Sequence, residues 1–225
     1  MQLWVGLGNP GAQYAGHRHN IGFMAADRVA ADHGFAPWRD KFQGALSEGR
    51  LGSEKIALLK PATFMNLSGE SVGEAMRFFK LSPADVTVFH DEIDLAPGKL
   101  RLKSGGGHAG HNGLRSLHAH IGADYRRIRL GVGHPGDKTR VPGYVLSNFA
   151  KADAAWLGDL LQGISDGAPT LAEGDGARFM NAVALRTAPP RSSTSADATP
   201  GHKADPTPAP KDTRSALQKL VDRFR

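Results

Sequence analysis

The chain has 225 residues, 40% of them hydrophobic, enough for one large domain or two small ones with a substantial core. It has no cysteine, which excludes disulfides, thiol nucleophiles and Cys-based zinc sites; no apolar run nears the roughly 20 residues that cross a bilayer, and the opening MQLWVGLGNPG lacks the features of a signal peptide, so a soluble, cytoplasmic protein is expected. The formal charge of +6 is concentrated between Lys99 and Arg140, where nine Lys/Arg stand against two Asp/Glu, and such a local positive field points to a polyanionic partner such as nucleic acid.

Residues 2–8, QLWVGLG, have the pattern of a buried strand and run into Gly6-Leu7-Gly8-Asn9-Pro10-Gly11, a literal G-x-G-x-x-G. A dinucleotide fingerprint needs a helix that starts at the glycines and an acid that ends a second strand about 20 residues on. Here Pro10, Gly11 and Gly16 delay the helix to about Asn20, and Asp27 falls inside it. The stretch therefore reads as a strand ending in a rigid turn that presents Asn9. Asn20 is expected to cap a helix to about His33, with Ile21, Met24, Ala25, Val29 and Ala30 on one face. Just before it comes His17-Arg18-His19, and a histidine at a helix N-terminus needs a compensating acid before it can carry charge. Residues 43–60 form two short strands, GALSEGRL and EKIALLK, joined at Gly52-Ser53 and stopped by Pro61. Val72, Ala75, Met76 and Phe79 then give a helical stripe entered at Ser68-Gly69. Phe64, Met65 and Asn66 are left in the strand-to-helix loop, where α/β proteins place ligand contacts.

A strand at Val86–Phe89 delivers His90 and Asp91 and opens the most polar stretch of the chain, HDEIDLAPGKLRLKSGGGHAGHNGLRS. It combines an acidic cluster (Asp91, Glu92, Asp94), a ladder of Lys99, Arg101 and Lys103 on one strand face, three glycines (Gly105, Gly106, Gly107) and the His111-Asn112 pair. Consecutive glycines disfavour a helix or strand interior but let backbone N–H groups approach a ligand closely. Asn112 is expected to cap a helix with Leu114, Leu117 and Ile121 inward, and RIRLGVG to form a strand with Arg127 and Arg129 on one side. Residues 135–149 have the composition of a lid, and 150–184 read as one helical region broken at Gly174 and Gly176. Alternating strands and helices imply an α/β fold: one domain, 1–186, with a central mixed β-sheet covered by helices. From Thr187 to Ala216 there is no Leu, Ile, Val, Met, Phe, Tyr or Trp, so 187–211 is expected to be a disordered linker. Leu217, Leu220, Val221 and Phe224 give 212–225 the stripe of a short amphipathic helix, whose partner the sequence does not name.

LGNPGAQYAGHRHNIGF, KPATFMNLSGESV, HDEIDLAPGKLRLKSGGGHAGHNGLRS and RIRLGVGHPGDKTRVPGYVL, in this order over about residues 1–186, resemble bacterial peptidyl-tRNA hydrolase. The resemblance implies a single α/β domain, expected to be monomeric, that hydrolyses the ester joining a peptide to tRNA and so returns tRNA from stalled synthesis. It implies His19 as catalytic base and Asp91 as its partner. Asn9, Asn66 and Asn112 would recognise and position the substrate, Tyr14, Phe64 and Met65 would line the site for the peptide and terminal adenosine, and Lys103 and Arg129 would hold the tRNA phosphate. His17 stands where the family usually has Thr, and the tail after Arg186 lies outside the usual pattern.

The same residues make chemical sense without the family. An ester needs only a water activated by a base near neutral pKa, a donor for the developing oxyanion and a grip on the substrate; histidine is the natural base, and a carboxylate on its other nitrogen fixes the tautomer. Asn66 is the leading candidate for the oxyanion donor. No serine sits in a nucleophile-elbow pattern, so a bound water is favoured over a covalent intermediate. Neither metal nor cofactor is expected. Two alternatives are a metal-dependent hydrolase using His17, His19, Asp91 or the His108-x-x-His111 pair, and a non-catalytic RNA-binding module resting on the basic window.

Overall fold

Along β1 (Gln2–Gly6), Leu3 and Val5 pack into one apolar cluster and Trp4 into another, all three fully buried. A strand that divides its side chains between two cores must lie inside a sheet covered on both faces. The computed structural model, which describes residues 1–188, places β1 at the centre of a seven-stranded sheet. The strand order is β2 (Arg39–Lys41), β3 (Gly44–Leu51), β4 (Glu54–Pro61), β1, β5 (Val86–Glu92), β7 (Arg126–Gly131), β6 (Leu100–Ser104). β1 runs parallel to β4 and β5, and β5 to β7, while the β2/β3, β3/β4 and β6/β7 pairs are antiparallel. The sheet is mixed, as expected. Most of the expected 187–211 linker and the whole 212–225 helix lie outside the described residues.

On the Trp4 face the sheet is covered by α1 (Ile21–Asp32), α5 (Ala154–Ala172) and α6 (Gly176–Arg186); on the Leu3 and Val5 face by α2 (Ser68–Phe79) and α3 (Asn112–Ile121). The chain leaving β1 thus goes to one face and the chain leaving its neighbour β4 to the other. Where connections part in this way, a crevice opens beyond the carboxyl ends of the strands. The proposed lid, 135–149, contains a 3-10 turn at Lys138–Arg140 and the short helix α4 (Val141–Val145).

Two glycines set the depth of that crevice. A Cβ on Gly6 would collide with the Gly22 carbonyl, and one on Gly22 with the Phe89 carbonyl oxygen and the Leu7 amide nitrogen. The start of α1 therefore lies backbone against backbone on β1 and β5. This is the use made of the first glycine of the G-x-G-x-x-G stretch.

Three local expectations need correction. Asn20 precedes α1 but makes no capping bond; its side chain accepts from the Asn9 amide at 3.0 Å and donates to the Asn9 carbonyl at 2.9 Å. A 3-10 turn at Arg18–Asn20 leads into the helix instead, which frees that amide to brace the turn after β1. Asn112 does not cap α3, because it is already the first helical residue. His111 is the cap, its Nδ1 accepting from the amides of Gly113 at 3.1 Å and Leu114 at 3.3 Å. Finally, β2 was not foreseen: its three polar residues pair with β3 across a turn in which Phe42 and Gln43 both have positive φ, 56° and 50°.

Candidate active site

Asp91, one residue before the end of β5, is almost wholly buried, 4% exposed. One oxygen, Oδ1, accepts from His19 Nδ1 at 2.8 Å and from His111 Nε2 at 3.0 Å. An ionised carboxylate can only accept, so each of those ring nitrogens carries its hydrogen. His111 is then fixed as the neutral Nε2–H tautomer, since its Nδ1 is the acceptor for the first amides of α3. His19 differs. With Nδ1 held by Asp91, its Nε2 has no partner among the described residues, and His19 lines the cleft.

The electrostatics separate the three histidines of this region. Burial pulls the His19 pKa down, but the Asp91 charge and hydrogen bond outweigh it, leaving the imidazole above its ordinary value. Burial pushes the Asp91 carboxyl up, yet His19 and His111 together hold it well below the usual carboxylate range. His90, the preceding residue, is pulled down to about 3, chiefly by its burial. It stays neutral, its Nδ1 donating to the Asp91 carbonyl at 2.8 Å, and serves as packing. Only His19 thus combines a carboxylate partner with a free nitrogen on the cleft.

The cleft has a volume of about 970 Å³ and is lined by every residue singled out for the site: Asn9, Tyr14, His19, Phe64, Met65, Asn66, Asp91, Lys103, Asn112 and Arg129. They come from the loop after β1, the loop after β4, β5, β6, α3 and β7. The lining includes the apolar Phe64, Val141, Pro142 and Leu146 and the cationic Lys103, Arg127 and Arg129. Phe64 is 56% exposed, while Met65 is buried. Asn9 Oδ1 accepts from the Met65 amide at 2.9 Å, which turns its Nδ2 donor away from that contact. Asn112 is tied to Arg115, whose Nη2 donates to its Oδ1 at 2.9 Å. Arg129 Nε donates to Glu92 Oε2 at 2.8 Å, a pairing the sequence did not suggest. His17 packs edge-on to Tyr14 at 5.3 Å and is not among the cleft residues.

A family model described as peptidyl-tRNA hydrolase matches residues 3–191. The chain is 70% identical to the peptidyl-tRNA hydrolase of Jannaschia sp. and 67% identical to that of Dinoroseobacter shibae, each over the whole of both chains. The crystal structure of peptidyl-tRNA hydrolase from Acinetobacter baumannii superposes with a TM-score of 0.77 at 38% identity, covering 81% of this chain and 94% of that one. The chain belongs to the peptidyl-tRNA hydrolase family.

For a peptidyl-tRNA hydrolase, the residue that sequence reasoning undervalued is His111. The sequence offers it as the polar neighbour of Asn112 and as a metal ligand with His108, but His108 packs on His118, 5.7 Å between rings, while His111 turns to Asp91. Its signal was available: a histidine directly before a helix, beside the already noted Asn112. Among the described residues, His19, Asp91 and His111 are the one group close enough to surround an ion, with ligand atoms within 4.8 Å of each other. The donor set does not suit that use. Binding through His111 Nε2 would require it to lose its hydrogen while Nδ1 still caps α3, an imidazolate, or else to give up the cap.

Proposed function

We propose that the chain hydrolyses the ester between a peptide and tRNA by activating water with His19, and that the open Nε2 of His19, backed by Asp91, is the observation that carries this reading. A water on Nε2 gives up its proton as it attacks the ester carbonyl; the imidazolium so formed is stabilised by the buried carboxylate, then returns the proton to the departing ribose oxygen. His111, neutral and fixed by the backbone of α3, holds Asp91 Oδ1 in place. Asn66, exposed on the cleft beside Phe64, donates to the oxyanion. The apolar lining residues take the peptide and the basic ones the tRNA. The working unit is a monomer in the cytoplasm, the compartment in which tRNA is used. Release of free tRNA from N-acetyl-aminoacyl-tRNA, undiminished by exhaustive EDTA treatment, tests the function. Tight RNA binding without release would favour the non-catalytic module, and loss with EDTA the metal-dependent one.

Asn9 is read as the group that recognises a blocked amino terminus. With Oδ1 committed to Met65, the side chain meets substrate with a donor, which suits the carbonyl of a peptide bond and repels a free ammonium group. Asn9→Asp keeps an acceptor for Met65 but places a second acceptor, with charge, toward the substrate. Turnover of N-acetyl-aminoacyl-tRNA is expected to fall at least tenfold, and its advantage over free aminoacyl-tRNA to narrow, because an unmatched polar group costs more than a missing methylene. An unchanged ratio removes Asn9 from this role.

Lys103 and Arg129 are read as contacts for the tRNA phosphate. Lys103→Met or Arg129→Gln is expected to raise KM for tRNA substrates far more than for N-acetyl-aminoacyl-adenosine, and to reduce the slope of log affinity against log salt by about one unit each. Equal losses on both substrates would indicate a folding defect.

A further inference from the structure

Arg127 is 3% exposed, and its guanidinium has no carboxylate partner among the described residues. Nη1 donates to the Gly107 carbonyl at 2.8 Å, and Nη2 donates to the Gly106 carbonyl and lies 3.0 Å from His118 Nε2. Its Nε is buried without a partner among the described residues. Burial and the Arg127 charge keep the His118 pKa below its ordinary value, so that imidazole is neutral and no acid offsets the cation. In register Lys103 sits directly across from Arg127 on the paired strand, adding a second positive charge. A buried charge left without an opposite charge is costly, and the cost is relieved when an anion arrives.

The loop in front of Arg127 is shaped to receive one. In a trans peptide the N–H points opposite to the carbonyl. With the carbonyls of Gly106 and Gly107 turned in to Arg127, the N–H groups of Gly107 and His108 turn outward, and among the described residues neither has an acceptor. Gly106 holds φ 89°, and a Cβ there would lie 2.9 Å from Lys103 Cε and Nζ, so the lysine ammonium rests against the same turn. Gly107, His108, Lys103 and Arg127 all line the cleft. Outward N–H groups on such a turn, backed by fixed positive charge, form an anion-binding concavity.

We propose that the Gly105–His108 loop is a phosphodiester-binding site, in which the Gly107 and His108 amides donate to a backbone phosphate of the tRNA and Arg127 supplies the charge behind them. The proposal rests on tRNA being the substrate, and the test separates the two. ¹⁵N-labelled protein is titrated with an acceptor-stem RNA hairpin and, separately, with inorganic phosphate. The hairpin is expected to shift the Gly107 and His108 amide signals strongly, at concentrations at least tenfold below those of inorganic phosphate. Arg127→Gln is expected to weaken hairpin binding tenfold or more and to lower the salt slope by about one unit, with a much smaller loss on N-acetyl-aminoacyl-adenosine. Should that variant not fold, Gly107→Asp replaces it: a Cβ there meets nothing within 4 Å, and the new carboxylate is expected to weaken the hairpin to a similar extent. If the hairpin moves signals at Lys103 and Arg129 but leaves Gly107 and His108 unmoved, the loop site is overturned while the tRNA reading stands. If inorganic phosphate acts as strongly as the hairpin, the site is not one for tRNA phosphodiester. If the hairpin moves nothing, both readings fall.

Discussion

His19→Ala is expected to lose nearly all turnover, by a factor on the order of 10² to 10⁴ or more, while still binding tRNA. The size follows from the geometry. Among the described residues, two imidazoles lie within hydrogen-bond reach of the buried carboxylate, and one of them, His111, has both nitrogens committed. Among the described residues no histidine other than His19 and His111 contacts a carboxylate: His17 packs against Tyr14, His90 is buried and neutral, and His108 and His134, which also line the cleft, accept from the Gly110 and Gly136 amides. tRNA affinity should change little, since the cations proposed to hold phosphate lie on β6 and β7. Single-turnover release of a labelled N-acetyl-aminoacyl group, with hairpin binding measured on the same preparation, separates chemistry from binding. An active His19→Ala protein would sink the mechanism.

Asp91→Asn should lower the maximum rate about 10²- to 10⁴-fold and move the acid limb of the kcat/KM profile to lower pH. The substitution is informative because both histidines contact the same oxygen. An asparagine Oδ1 in that position still accepts from His19 Nδ1 and His111 Nε2, so the geometry survives and the charge alone is removed. The sign follows from the two opposed influences on His19. Burial lowers its pKa and Asp91 raises it; taking away the second leaves the first, so the imidazole loses its proton at lower pH and the free base persists further into acid. The rate still falls, because the imidazolium formed in the reaction has lost its stabilising charge. A limb that stays put, with circular dichroism unchanged, would uncouple Asp91 from the base.

The architecture was legible because strands buried on both faces announce themselves. Leu3-Trp4-Val5 and Ile56-Ala57-Leu58-Leu59 are apolar throughout, and the helices carry clear stripes. What escaped were features created by contact. β2 has no apolar alternation and exists through pairing with β3. Asn20 and Asn112 look like caps by type, but an amide can bond a distant backbone as well as its own helix, and only the folded chain decides. A ring nitrogen capping α3 lies outside the usual cap residues. The parity of Arg127 and Arg129 along β7 was readable, but not that one would be buried against glycine carbonyls and the other paired with Glu92.

The close approach of α1 to β1 and β5 through Gly6 and Gly22 bears on how heat inactivates the protein. The separation of His19 from Asp91 is set there by main-chain atoms in the centre of the sheet rather than by side chains that can repack. Main-chain contacts of this kind have no partly loosened intermediate, and the sheet centre is where local opening is rarest. The base and its carboxylate should consequently come apart only when the whole domain does. Thermal loss of turnover and the loss of far-ultraviolet ellipticity are expected to coincide, and turnover lost several degrees before ellipticity would show that the catalytic pair melts on its own.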